Sequence, residues 1–201
     1  MSISELESEL KESKGSGTSN LLLKTNHGKI VVLGEGGVGK TAFVEATIRM
    51  LKKLEISVAS IPTNMTIAIS FSSFRWVKDE KEIKMQIWDF GGQSQFKDMG
   101  LFKVYCQGAH AAIVCFDIED LDSLELVPEW LDFLPDTVPR ILVATKDDNL
   151  KNDEELERLI DDYAKEFNFS GVLRISLDTN PERIINVFNL VFDILVDQYG
   201  M

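Results

Sequence analysis

A doubly wound α/β sheet, mostly parallel and six-stranded with one antiparallel edge strand, is the fold class this sequence predicts. Two observations predict it. Apolar runs at residues 111–116 and 141–144 show no polar alternation, as expected of parallel strands covered on both faces. Strand-like and helix-like segments also alternate from residue 29 to residue 196.

The elements follow in order. Residues 29–33 (Lys-Ile-Val-Val-Leu) read as a buried strand, and residues 40–54 carry helical spacing. Two strand-like runs, 67–77 and 83–88, are joined at Lys78-Asp79-Glu80-Lys81 as the one antiparallel hairpin. Residues 111–116 and 141–144 are the central strands, with one helix expected over 121–134 between them. An acidic helix is expected over 153–167, a last strand over 172–175, and a closing helix over 181–196 with Pro181 in its first turn. Residues 1–26 are polar, acidic and then rich in Gly and Ser. Such a stretch buries too little apolar surface to offset its ordering entropy, so it reads as a flexible extension to a domain over 27–201.

Composition narrows the functional classes. With 201 residues the chain suits one domain with a real core. Its net charge of −12 argues against a nucleic-acid duplex as partner, because phosphate repels an acidic surface. A single nucleotide is still compatible, since a local nest of N–H groups with a divalent cation overrides the global field. Cys106 and Cys115 have no metal-ligand spacing and read as buried thiols. No apolar run reaches the length of a membrane span.

Residues Gly34, Glu35, Gly36, Gly37, Val38, Gly39, Lys40 and Thr41 satisfy G-x-x-x-x-G-K-[ST], between a strand and a helix. Glycines permit the turn that points successive N–H groups at an anion, and the helix N-terminus adds its positive dipole end. Lys40 is expected to reach the β- and γ-phosphates and the Thr41 hydroxyl to ligate Mg²⁺. The bland alternative is a ligand-free glycine turn. A second metal-binding candidate, the Asp89 carboxylate, ends the strand 83–88 and is followed by Phe90-Gly91-Gly92-Gln93. Asp89 suits the outer coordination of Mg²⁺, Gly92 can offer an N–H to the γ-phosphate, and Gln93 can orient an attacking water.

The run Ile87-Trp88-Asp89-Phe90-Gly91-Gly92-Gln93, with Gly108-Ala109-His110 after it, resembles the Ras superfamily of small GTPases, and within it the Rab family. The resemblance covers about residues 29–196 and implies the P-loop GTPase fold, GTP and GDP with Mg²⁺ as ligands, and GTP hydrolysis. It also implies a threonine that closes over Mg²⁺ when GTP is bound. Thr66 stands at the family's distance before Asp89; Thr63 competes, and spacing favours Thr66.

Thr145-Lys146-Asp147-Asp148 is similar to the family's [NT]-K-x-D motif. A carboxylate at Asp148 can accept from guanine N1–H and the 2-amino group, whereas adenine would leave those acceptors mismatched. The Lys146 stem would lie along the base. Ser176-Leu177 falls where the family has Ser-Ala, whose backbone N–H contacts the base oxygen.

Several features depart from the family. No aromatic falls at residues 58–61, where one usually covers the base, and the stretch between Thr41 and Thr66 is longer than usual. Ser94-Gln95 replaces Glu-Arg, and no arginine precedes Thr66 to act as a built-in finger, so fast hydrolysis needs help in trans. Phe71, Trp88 and Tyr105 match three aromatics that Rab proteins present to effectors and regulators; plain packing between hairpin and helix accounts for them equally well. His110 reads as structural. The end of the chain carries no C-terminal cysteine motif or polybasic tail, and residue 2 is serine, so no covalent lipid and a cytoplasmic location, with recruitment to membranes through a partner, are expected. The function these residues imply is a GTP/GDP switch with slow intrinsic hydrolysis. A non-hydrolysing guanine-nucleotide scaffold is the alternative, and a nucleotide kinase is disfavoured because no arginine-bearing lid is visible.

Overall fold

The computed structural model describes residues 26–61, 69–90, 100–148 and 153–201, save the side chains of residues 60 and 61. Its strands are β1 (Asn26–Leu33), β2 (Ala59–Ile61), β3 (Ile69–Lys78), β4 (Lys81–Phe90), β5 (Ala111–Asp117), β6 (Arg140–Thr145) and β7 (Gly171–Arg174). Its helices are α1 (Lys40–Lys53), α2 (Leu101–Cys106), α3 (Asp122–Glu125), α4 (Val127–Leu131), α5 (Glu154–Glu166) and α6 (Ile184–Tyr199).

The sheet order is β2-β3-β4-β1-β5-β6-β7. The six expected strands are all present: β4, β1, β5, β6 and β7 run parallel, and β3 pairs antiparallel with β4. Beyond them, the three-residue β2 adds antiparallel to β3, with Ala59 opposite Ser73 and Ile61 opposite Phe71. This strand takes the sheet edge that β3 was expected to hold. The β3–β4 turn places Asp79 and Glu80 at φ 51° and 60°, as a two-residue hairpin requires.

Strand alternation builds two cores. Ile30, Val32, Ile113, Cys115, Ile141 and Val143 face one side, where α1 and α6 supply Phe43, Leu51, Phe188 and Val191. Val31, Leu33, Val114, Phe116, Leu142 and Ala144 face the other, covered by Phe102, Leu124, Trp130 and Ile160 of α2 to α5. Neither face can afford polar residues in the central strands, so their sequences read as unbroken apolar runs.

Two helices differ from expectation. The single helix expected over 121–134 is two short ones, α3 and α4. Pro128 lacks the N–H that would donate to the Leu124 carbonyl, and the Tyr163 hydroxyl donates there instead, at 2.8 Å. The closing helix starts as a 3₁₀ turn at Pro181–Arg183, then runs as α6 to Tyr199, past the expected end, and is capped by Gly200 at φ 64°. Helix α5 has the expected acidic start, with the Asp153 carboxylate accepting from the N–H groups of Glu155 and Leu156 at 3.1 and 3.2 Å.

Register places the functional candidates together. Val32 lies opposite Asp89, Leu33 opposite Val114, Asp117 opposite Thr145 and Ala144 opposite Arg174. The carboxyl ends of five parallel strands thus share one rim, the edge where open α/β sheets bind ligands.

Candidate functional site

The phosphate loop leaves β1 at Gly34, whose φ of 137° lies outside the range of L side chains. A Cβ there would stand 2.2 Å from the Cys115 carbonyl oxygen, so the loop lies directly on the β5 backbone. Gly37 and Gly39, at φ 82° and 94°, turn the chain into α1, with Gly39 as its N-cap. Lys40 is buried at 4% exposure, and its Nζ donates to the Glu35 carbonyl at 2.5 Å, which keeps the ammonium inside the loop.

Asp89 faces this loop from the end of β4. Burial raises its carboxyl pKa; a hydrogen bond from the Thr41 side chain and the nearby Lys40 ammonium partly offset that. Its Oδ1 is buried, and among the described residues nothing donates to it. An unsatisfied anionic oxygen beside a threonine hydroxyl is a hard-oxygen environment that fits Mg²⁺ and its waters.

Thr145 ties the next strand to the loop. Its Oγ1 lies 2.5 Å from the Val38 carbonyl oxygen and 2.9 Å from that of Phe116. Lys146 follows in the left-handed region at φ 59°, and its Nζ donates to Asp117 Oδ2 at 2.5 Å. This turn sends alternate side chains opposite ways: Asp147 is buried and Asp148 exposed. The Ser176 hydroxyl donates to Asp148 Oδ1. The Ser176 N–H is occupied by Asn180 Oδ1 at 2.8 Å, and its Oγ accepts from the N–H groups of Asp178 and Thr179. Leu177 is partly buried against the core, so only its backbone is offered to the rim.

The structure therefore brings Gly34 to Thr41, Asp89, Thr145, Lys146, Asp148, Ser176 and Leu177 to one rim of the sheet. Thr63, Thr66, Gly92 and Gln93 lie outside the described residues. Asp117 belongs to the site, though no motif singled it out. Its signal was positional: a carboxylate closing an otherwise apolar strand, Ala111–Asp117. Arg174 escaped notice likewise; it forks onto Asp147 with two bonds of 3.0 Å.

Away from the rim, Phe71, Trp88 and Tyr105 form one half-buried cluster, with ring centroids 4.3 Å (Phe71–Trp88) and 6.2 Å (Trp88–Tyr105) apart. Lys29 lies 3.9 Å over the Trp88 ring and donates to the Tyr105 and Gln107 carbonyls, so it also closes the end of α2. His110 is structural: its Nδ1 accepts from the Lys29 N–H, and its ring packs on Tyr199. Burial pushes both the Cys106 and Cys115 thiols up to about 12, which leaves them unreactive. Among the described residues no helix is long and apolar enough to cross a membrane.

Fold and rim together define a P-loop α/β protein. The family model for the Ras family matches residues 29–194. The GTP-binding protein YPTM1 of Zea mays is 29% identical over 163 residues, which are 79% of this chain and 72% of that protein. The Ras-like GTP-binding protein RYL2 of Yarrowia lipolytica is 33% identical over 65% of this chain and 60% of its own length. The human Ras-related protein Rab-32 is 30% identical over 76% of this chain and 68% of its own length. The chain belongs to the Ras family of small GTPases, and its relatives here are Rab and Ypt proteins.

Proposed function

We propose that the chain binds GTP and GDP with Mg²⁺ at this rim and acts as a slowly hydrolysing switch. The observation that carries the reading is the shared rim: the phosphate loop, Asp89 and Asp148 lie at or just beyond the carboxyl ends of β1, β4 and β6, within four consecutive parallel strands of the sheet. The N–H groups of the loop and the Lys40 ammonium bind the phosphates, and Thr41 and Asp89 are the residues that would hold Mg²⁺. Bound there, Mg²⁺ would neutralise charge on the phosphate oxygens. Asp148 accepts from guanine N1–H and the 2-amino group. Because Asn180 already occupies the Ser176 N–H, the Leu177 N–H is the donor left for the base oxygen.

Thr66 and Gln93 are the proposed nucleotide-responsive residues, the first closing over Mg²⁺ and the second orienting water. Phe71, Trp88 and Tyr105 are the proposed face for effectors, an exchange factor and an activating protein.

The test is the nucleotide carried through purification, identified by mass and chromatography, followed by single-turnover phosphate release. Guanine nucleotide is expected, with Gln93→Leu slowing release by about tenfold or more. Adenine nucleotide would overturn the assignment. Guanine nucleotide with no phosphate release would make the chain a scaffold rather than a switch.

A further inference from the structure

The geometry points to Arg174 and Asp147 as a positioning pair that sets the guanine selectivity of Asp148. This rests on the reading of Asp148 as the base acceptor. Neither residue is one of those assigned to the base: Asp147 is the variable place of the T-K-x-D run, and Arg174 closes β7 two residues before Ser176.

Their contact is a true fork. Arg174 Nε donates to Asp147 Oδ2 and Nη2 to Asp147 Oδ1, each at 3.0 Å. The side chains are 15% and 4% exposed, so water competes poorly for either. On the outer side Arg174 Nη1 donates to Glu157 at 3.1 Å, and the Arg174 carbonyl accepts from Arg183 at 3.2 Å. The arginine is therefore fixed at both ends of its residue, and its guanidinium plane is fixed by carboxylates on two elements. Two parallel bonds fix orientation as well as distance, which one bond cannot do.

The loop has a reason to need this. Lys146 sits at φ 59°, a conformation a non-glycine residue keeps only where its surroundings enforce it. That turn throws Asp147 inward and Asp148 outward, so the placement of Asp148 depends on where Asp147 is anchored. The Asp147 N–H donates to the Ile175 carbonyl at 3.1 Å, and the Ile175 N–H to the Ala144 carbonyl at 2.8 Å. With the fork and the Ser176–Asp148 bond, the ends of β6 and β7 are tied at four successive points. The fork is the only side-chain tie among them that leaves the base free. A carboxylate held in this way presents its acceptors without reorganising, and the 2-amino group of guanine is read at one fixed distance.

The readout is a ratio. GDP and IDP differ only by the 2-amino group, so Kd(IDP)/Kd(GDP) reports how well Asp148 reads that group. Arg174→Lys keeps the charge and loses the fork, and Asp147→Asn keeps the shape and loses one anionic acceptor. Both are measured by competition with Mg²⁺ present, alongside thermal unfolding. Each is expected to lower the ratio by about fivefold or more, the scale of one typical hydrogen bond. A merely structural pair would instead weaken GDP and IDP in proportion. Ratios within twofold of wild type in both variants, or proportional weakening, overturn the inference while leaving the guanine reading intact. A wild-type chain with no preference for GDP over ADP overturns that reading, and this inference with it.

Discussion

The Thr145 hydroxyl oxygen lies 2.5 Å from the Val38 carbonyl oxygen, joining the loop that follows β6 to the glycine-rich loop that follows β1. The same oxygen is 2.9 Å from the Phe116 carbonyl, and the residue is only 4% exposed. Thr145→Val keeps the shape and removes the donor. Loss of a buried hydrogen bond is expected to cost about 1–3 kcal/mol, read by urea denaturation of the nucleotide-free chain. GDP affinity should fall too, whereas Thr145→Ser retains both properties. A valine variant as stable and as tight-binding as wild type would show that the two loops are joined by other contacts.

Gly34 and Gly37 separate two penalties that glycine avoids. At Gly37, φ is 82° and a Cβ meets nothing within 4 Å, so Gly37→Ala costs only backbone strain, about 1–3 kcal/mol. At Gly34, φ is 137° and a Cβ stands 2.2 Å from a carbonyl oxygen of the central strand β5. Gly34→Ala adds a clash that no side-chain rotation relieves. Thermal unfolding should therefore rank wild type above Gly37→Ala and Gly37→Ala above Gly34→Ala, with nucleotide binding lost in the last. Equal melting temperatures for the two variants would mean that the loop shifts off β5 at little cost.

Asp89 gives a pH dependence with a definite sign. Burial raises its pKa in the folded chain above the ordinary carboxylate value, so the native state binds a proton more tightly than the unfolded state. Without nucleotide, this residue's contribution to stability falls as pH rises from the ordinary value through the folded one, and stays low above it. Asp89→Asn removes that fall. Above the folded pKa the variant should melt higher than the wild type when both lack nucleotide, and the gap should close towards pH 4. The same variant should lose the gain in GDP affinity that Mg²⁺ confers. A melting difference that widens on acidification would reverse the sign and exclude burial as the cause.

What could be read from the sequence depended on how local the determinant was. Residues 111–116 and 141–144 were legible as strands because burial on both faces leaves only apolar side chains there. Gly34 to Thr41 was legible because the turn chemistry lies within eight consecutive positions. The break between α3 and α4 was readable in principle, since Pro128 stands at the junction. What hides it is the Tyr163 hydroxyl, from a distant helix, which satisfies the Leu124 carbonyl and makes the break tolerable. The edge strand β2 was not legible: three residues carry no period, and only pairing with Ser73 and Phe71 defines them. Asp117 and Arg174 were missed because their roles come from partners 29 and 27 positions away, Lys146 and Asp147.

Asp148→Asn should shift preference from guanine toward xanthine nucleotides, and the geometry fixes the direction. The Ser176 hydroxyl donates to Asp148 Oδ1, and two backbone N–H groups already donate to that hydroxyl oxygen, so its proton points to residue 148. An asparagine there keeps its oxygen toward Ser176, because its amine would place donor against donor. The amine is then left facing the base, where the second carboxylate oxygen had been. Against guanine it meets the 2-amino group, another donor; against xanthine it meets a carbonyl that can accept. Mispairing one buried group costs about 1–3 kcal/mol, and the new bond to xanthine adds to the difference. Competition between GDP and XDP should therefore show the affinity ratio move by about tenfold or more in the variant. Adding Ser176→Ala removes the group that orients the amide, so the double variant should recover part of the guanine preference. An unchanged GDP/XDP ratio in the single variant would mean that Asp148 does not face the base.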